Sequence, residues 1–142
     1  MTDKTYRYEE QPQGISWARI PMPGSLGHIN SWLLDDADSE GREGVAVVDT
    51  GICLTACSDA WKALYAGALK GKRITRVFGT HLHPDHIGLA GWIAKKQGVK
   101  LWMTRGEMLT ARAIVDYALP PRCAGCGAIV GEDHQFCLAC WS

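Results

Sequence analysis

The first part of the chain contains short apolar runs that are separated by turn-forming residues. Residues 15–22 and 28–34 have the composition of strands, and Pro23-Gly24 between them favours a turn. Residues 35–44 are charged and predict a second turn. Residues 45–48 are Val-Ala-Val-Val, the continuous apolar run typical of a strand buried on both faces. This order predicts antiparallel neighbouring strands at the start of the domain.

From residue 54 onward, the apolar positions recur at helical spacing. Residues 54–70 predict a helix, and residues 87–97 and 105–117 predict two more. Strands are predicted between them, at residues 73–80 and 100–104. Strands that alternate with helices favour an α/β layer with parallel pairing. The pair Pro120-Pro121 ends the last helix and predicts a domain boundary.

Composition narrows the class of protein. The chain has 142 residues, of which 46% are hydrophobic and 21% charged, typical of a folded domain with at most a small added module. Fifteen basic residues balance fifteen acidic ones, so we expect no nucleic-acid partner and no anionic membrane partner. Residues 1–14 are polar and contain no apolar run that would make a signal peptide. We therefore expect a cytoplasmic protein with reduced thiols.

Four of the six cysteines lie in the last twenty residues. Cys123 and Cys126 form one C-x-x-C pair, Cys137 and Cys140 form another, and ten residues separate the pairs. In a reducing compartment this spacing predicts one structural zinc ion held by four thiolates. Residues 122–141, called the cysteine segment from here on, resemble a zinc ribbon, and a tail without metal is the alternative. The other two cysteines, at positions 53 and 57, are expected to be buried as small hydrophobic side chains.

A second group of ligand-type residues follows the predicted strand at residues 73–80. His81 and His83 are two residues apart, so they point to one side of an extended segment. Pro84 turns the chain, and Asp85 and His86 begin the next predicted helix. Imidazole and carboxylate groups are zinc ligands, and ligand sites in open α/β sheets lie at the carboxyl ends of strands. The pattern predicts a metal site, with iron or manganese as alternatives to zinc.

This motif and its flanks resemble the metallo-β-lactamase superfamily, in particular its glyoxalase-II-like members. The similar segments are His81-x-His83-x-Asp85-His86 with Gly79-Thr80 before it, together with residues 27–30, 45–51 and 88–91. The resemblance covers residues 15–117. It implies a hydrolase domain over residues 15–119, after a polar segment 1–14 and before a zinc-ribbon-like module at residues 120–142.

The resemblance also implies roles for individual residues. His81 and His83 would bind a first zinc ion, and Asp85 and His86 a second. Asp85 would also orient the attacking hydroxide that the metal activates. Asp49 would act catalytically from behind the ligands by orienting one of them or the loop. A turn-capping role for Asp49 is the alternative. The implied substrates are small molecules with an ester, thioester or lactone bond.

The resemblance is to one half of the family's αββα sandwich. The chain ends before the second half, which supplies a further histidine, a bridging aspartate and a final histidine. His134, the only histidine after His86, lies within the cysteine segment. We therefore expect one or two zinc ions at the histidine loop and one at the cysteines. Half a sandwich leaves a sheet face uncovered, and a homodimer would complete it. The alternative function is a catalytically impaired zinc-binding module for protein interaction.

Overall fold

A computed structural model describes residues 7–11, 13–131 and 135–141 of the chain. His134 and part of the polar segment, residues 1–6 and 12, lie outside the described residues. The chain divides into two compact units, residues 1–104 and 105–142, which we describe separately.

The first unit is built on a six-stranded mixed sheet whose strands lie side by side in chain order. The four strands at the start of the chain pair antiparallel, and the last two pair parallel to β4 and β5 respectively. The strands are β1 (Tyr8–Gln11), β2 (Ile15–Pro21), β3 (His28–Ala37), β4 (Glu43–Val48), β5 (Ile74–Phe78) and β6 (Leu101–Trp102). The predicted change from antiparallel to parallel pairing is confirmed.

Helices cover one face of this sheet. A short 3-10 turn (Gly24–Leu26) joins β2 to β3, and the α-helices of this unit are α1 (Thr55–Ala66), α2 (Pro84–Ile87) and α3 (Ala90–Gln97). Helix α1 packs on β2, and α3 packs on β5 and β6. Trp61, Leu64 and Ile93 are fully buried and meet the inward-facing strand residues Val47 and Val77. Burial of these side chains stabilises the layer of helices on the sheet.

The opposite face of the sheet presents a row of apolar side chains. In-register pairs connect one residue from each of five strands, and these residues are Trp17, Trp32, Val48, Phe78 and Trp102. Their neighbours Leu33, Val47 and Val77 face the helices, and alternation along a strand puts the row on the other side. Trp32 and Trp102 are 42% and 51% exposed. The sheet therefore carries a broad aromatic surface on its second face.

The structure corrects several predicted boundaries. Residues 35–37 and 43–44 were expected in a turn but extend β3 and β4, because their backbones continue the antiparallel ladder. The polar residues Tyr8–Gln11 form the edge strand β1 without an apolar run. One helix was predicted over residues 87–97, but two short ones replace it. The break occurs because the Leu89 amide donates to the Gly51 carbonyl, 3.1 Å away.

The second unit contains helix α4 (Arg105–Ala118) and the cysteine segment, which ends in helix α5 (Leu138–Trp141). The helix predicted at residues 105–117 is confirmed within one residue. An isolated antiparallel bridge joins Arg122 to Ile129 within the cysteine segment. In the described parts of both units, no helix combines the length and apolar character needed to cross a bilayer.

Candidate metal centre

The histidine loop and the loop after β4 meet at one edge of the sheet. Strands β4 and β5 are parallel, so their carboxyl ends lie next to each other. The Asp49 amide donates to the Phe78 carbonyl at 2.9 Å, which extends the pairing one step beyond β4. The Thr80 amide then donates to Asp49 Oδ1, also at 2.9 Å. The topology thus brings Asp49 to the base of the loop that begins at Thr80.

Asp49 has an unusual backbone conformation, with a φ angle of 59°. Few residues other than glycine adopt this left-handed conformation, and aspartate is among the side chains that tolerate it. Its side chain is buried, with three donors on the carboxylate: the Thr80 amide, the Thr80 hydroxyl and His86 Nδ1. The fixed backbone and the three hydrogen bonds hold the carboxylate in one position.

The structure brings the four predicted loop ligands together. The ring centre of His81 lies 4.7 Å from that of His83 and 4.0 Å from that of His86. Asp85 Oδ2 lies 3.5 Å from His86 Nε2. Since His86 Nδ1 is engaged by Asp49 Oδ2 at 2.8 Å, Nε2 is the atom that His86 offers to a metal ion. Asp49 therefore lies behind the predicted ligand residues and is hydrogen-bonded to the ring of His86.

Pro84, at the first position of α2, gives the loop its sharp turn. Proline has no amide hydrogen and its fixed φ suits the first residue of a helix. The His83 carbonyl accepts the amide hydrogens of His86 and Ile87, which closes the short helix. Asp85 and His86 are thereby held on one helical turn immediately after His83.

The loop after β4 clamps the backbone of His86. The Thr50 amide and hydroxyl both donate to the His86 carbonyl, at 2.7 and 3.0 Å. The Thr50 carbonyl in turn accepts from the indole nitrogen of the fully buried Trp61 at 2.7 Å. Gly88 permits this approach, since a Cβ there would lie 2.7 Å from the Cys53 amide nitrogen and 2.9 Å from the Ile52 Cα. The loop that carries the predicted ligands is thus anchored to the hydrophobic core through Thr50 and Trp61.

The donor chemistry of the loop suits a zinc ion. Three imidazoles and one carboxylate lie close together on one loop at the strand ends, and a buried carboxylate is hydrogen-bonded to one imidazole from behind. Histidine ligands in metal proteins commonly have such a partner on the second ring nitrogen. In this structure the histidine rings pack on one another, and their ligand atoms are less closely gathered than those of the cysteines described next.

The four predicted cysteine ligands of the second unit form a compact cluster. The sulfur atoms of Cys123, Cys126, Cys137 and Cys140 all lie within 4.8 Å of one another. The amides of Gly125 and Cys137 each donate to Cys123 Sγ at 3.3 Å. A Cβ at Gly125 would lie 3.0 Å from Cys140 Sγ, so glycine suits this turn. Four sulfurs at this spacing are the ligand set of a structural zinc site.

The thiols of the cluster influence one another's ionisation. Amide donors, first that of Cys137, lower the pKa of the Cys123 thiol to about 6. The neighbouring Cys126, Cys137 and Cys123 sulfurs raise the pKa of the Cys140 thiol to about 12. A thiolate at one position therefore opposes a thiolate at another. A bound zinc cation would remove this conflict, because all four ligands bind it as thiolates.

The sequence did not identify two hydroxyl residues of the site. Thr80 Oγ1 lies 2.8 Å from Asp49 Oδ2 and 3.0 Å from His81 Nδ1, and Thr50 holds the His86 carbonyl. Their only sequence signal is a threonine beside each predicted site residue. Of the other cysteines, Cys57 is buried as expected and donates to the Pro21 carbonyl, whereas Cys53 is exposed and its predicted burial is wrong. A loop position at the helix start leaves Cys53 outside the core.

Comparison with known proteins gives two family matches. Residues 24–115 match the model described as the metallo-beta-lactamase superfamily, and residues 114–142 match the double zinc ribbon domain. No curated protein shows significant similarity to the chain.

Solved structures give a consistent result. A beta-lactamase domain protein from Burkholderia ambifaria is 39% identical with a TM-score of 0.70, over 76% of this chain and 33% of that one. A metallo-beta-lactamase from Pontibacter korlensis is 15% identical with a TM-score of 0.56, over 77% and 48%. The mono-zinc form of the metallo-beta-lactamase FIM-1 from Pseudomonas aeruginosa is 16% identical with a TM-score of 0.55, over 94% and 52%. The chain spans about a third to a half of these proteins.

Proposed function

Because the chain belongs to the metallo-β-lactamase superfamily, we propose that it is a zinc-dependent hydrolase whose metal site is the loop from His81 to His86. The observation that carries this proposal is the contact between Asp49 Oδ2 and His86 Nδ1 at 2.8 Å, beside two further histidines and Asp85. A buried carboxylate that accepts a hydrogen bond from an imidazole and fixes its orientation is expected at a metal site. We propose substrates with an ester, thioester or lactone bond.

Zinc, when bound, lowers the pKa of a coordinated water from about 15.7 toward about 7. The chain's own residues would hold and orient the ion. His81, His83 and His86 would supply ring nitrogens, while the Asp85 carboxylate lies beside them, 3.5 Å from His86 Nε2. Asp85 would accept a hydrogen bond from the attacking water. Asp49, buried behind the loop, keeps His86 in its ligand orientation.

One zinc ion is the count that these residues support best. A catalytic zinc site needs three protein ligands and one open position, and the loop alone offers three histidines. A second zinc ion, expected from the resemblance, would have Asp85 and His86 as ligands and few others among the residues that the structure describes. We therefore propose one ion at the loop and one at the cysteines, two per chain.

The proposal is tested by hydrolysis of ester and thioester substrates with and without zinc. His83→Ala removes a ligand without touching Asp49 or Thr80, so we expect the zinc-dependent rate to fall to background. Lys62→Ala, at an exposed pair with Asp59 on α1, is the control and should keep the wild-type rate. Equal rates for wild type and His83→Ala would end the proposal.

The second candidate function is a non-catalytic zinc-binding module for protein interaction. The cysteine cluster favours this second function, since its four sulfur atoms already lie within 4.8 Å of one another. Zinc content per chain separates the two candidates. Two ions, one of them lost in His83→Ala, support the hydrolase. One ion that is lost only in a cysteine variant supports the module.

A further inference from the structure

Thr80 links the Asp49 carboxylate to a second histidine. Its hydroxyl oxygen lies 2.8 Å from Asp49 Oδ2, 3.1 Å from Oδ1 and 3.0 Å from His81 Nδ1. The Thr80 amide also donates to Asp49 Oδ1. The hydroxyl is therefore fixed between the carboxylate and an imidazole ring.

Counting hydrogen atoms decides the direction of these bonds. A threonine hydroxyl has one hydrogen to donate, and an ionised carboxylate only accepts. If Thr80 donated to His81, two oxygens with no hydrogen between them would face each other at 2.8 Å. The hydroxyl hydrogen must therefore point to Asp49, and His81 Nδ1 must carry a hydrogen and donate it to Thr80 Oγ1.

His86 follows the same rule through a direct contact. Its Nδ1 lies 2.8 Å from Asp49 Oδ2, so this nitrogen also carries a hydrogen and donates it. In a neutral imidazole the other nitrogen, Nε2, then has a free lone pair. Both histidines thus present Nε2 as the ligand atom, and the Asp49 carboxylate determines the tautomer of both rings.

We propose that Thr80 is a positioning residue that sets the tautomer of His81. Its hydroxyl donates its one hydrogen to Asp49 and can therefore only accept a hydrogen bond from His81 Nδ1. In this proposal Thr80 acts through His81 and is not itself a metal ligand. The consequence for metal binding rests on the proposed function, whereas the tautomer itself is a property of the metal-free chain. Thr80→Val keeps the shape of the side chain and removes the hydroxyl, and Thr80→Ser restores it.

The test is long-range ¹H–¹⁵N NMR of the metal-free full-length chain, at a pH where the imidazoles are neutral. We expect His81 and His86 to carry the hydrogen on Nδ1 in the wild type. In Thr80→Val, His81 should shift toward the Nε2–H form while His86 is unchanged, and Thr80→Ser should resemble the wild type. Thr110→Val, the same change on helix α4 of the other unit, is the control and should leave both rings unchanged.

A wild-type spectrum with the hydrogen on Nε2 of His81 would overturn the proposal, even if Thr80→Val failed to fold. So would a folded Thr80→Val chain in which His81 keeps its tautomer. Competition with a chelating dye gives a second readout, and we expect Thr80→Val to weaken zinc binding at the loop about 10- to 100-fold. A chain with the expected tautomers but no loop zinc would refute the hydrolase and leave the role of Thr80 standing. Zinc-dependent hydrolysis together with an unchanged His81 tautomer in Thr80→Val would refute the role of Thr80 and leave the hydrolase standing.

Discussion

Asp49 Oδ2 lies 2.8 Å from His86 Nδ1, although the two residues are 37 positions apart in the chain. The contact joins the loop after β4 to the helix turn after β5. It exists because the two strands are parallel neighbours whose carboxyl ends meet at one edge. A carboxylate at the end of one strand thereby holds the ring of a predicted metal ligand that follows the next strand.

Replacing Asp49 by asparagine should weaken the loop site without unfolding the chain. Asparagine tolerates the φ of 59° at this position, so the backbone is expected to persist. Its amide cannot accept from Thr80 and His86 as a carboxylate does. We expect zinc affinity at the loop to fall about 10- to 100-fold in a competition titration. Asp59→Asn, at an exposed pair with Lys62, should bind as the wild type does. Unchanged affinity in Asp49→Asn would refute this role.

Gly88 should be intolerant of a methyl group. A Cβ there would lie 2.5 Å from the Pro84 carbonyl oxygen and 2.7 Å from the Cys53 amide nitrogen, both backbone atoms. We expect Gly88→Ala to lower the free energy of unfolding by about 1–3 kcal/mol, measured by urea denaturation. Gly91 lies in α3 with nothing within 4 Å of its Cβ position. Gly91→Ala should therefore be neutral or stabilise by up to about 1 kcal/mol. Equal effects of the two changes would contradict the packing described for His86.

Loss of one cysteine ligand should remove one zinc ion and the fold of the cysteine segment. Cys123 receives two amide hydrogen bonds, so Cys123→Ser is the most informative change. We expect zinc per chain to fall by one and amide signals of residues 122–131 to lose dispersion in NMR spectra. Cys53→Ser, at an exposed position, should keep both. Retention of the full zinc content by Cys123→Ser would argue against a four-thiolate site.

Tyr65 should show a late alkaline titration. Burial raises the pKa of its hydroxyl from 10.0 to about 12. The folded state favours the neutral phenol, so its contribution to stability is complete below pH 10.0 and is lost as the pH rises from there to about 12. The absorbance change assigned by comparison with Tyr65→Phe should occur near the upper value. A midpoint near 10 in the folded chain would show that the ring is more hydrated than the structure indicates.

The homodimer expected from the sequence stays a prediction, and the apolar row on the open sheet face suggests how to test it. Five strands contribute to the row, which at about 4.8 Å per strand is roughly 19 Å wide. If a second copy covers this face, sedimentation velocity should show a dimer, and Trp32→Lys should dissociate it. Lys62→Glu, on the outer surface of α1, should not. A monomer at all concentrations in the wild type would exclude the dimer.

Sequence patterns predicted the parts of this molecule that depend on local chemistry. The His81 to His86 motif and the four cysteines could be found because their spacing alone limits their role. The apolar run at residues 45–48 predicted β4 for a similar reason. Strand β1 could not be found, since the Tyr8–Gln11 segment gains its order from pairing with β2 and not from its own composition. Thr80 was missed because its role depends on a partner thirty-one residues away, and no local pattern records that.

The bond from Trp61 to the Thr50 carbonyl has a consequence for motion. Binding loops are often the parts of a protein that open first, at little cost in free energy. Here the Thr50 amide is bonded to the His86 carbonyl, and the Thr50 carbonyl to a fully buried indole. Opening this part of the loop requires disruption of the core, so these two N–H groups should exchange with solvent deuterium only as slowly as global unfolding permits. The backbone of His86 is then fixed to the core of the first unit, and we expect any adaptation of the loop to a bound molecule to involve residues other than Thr50 and His86.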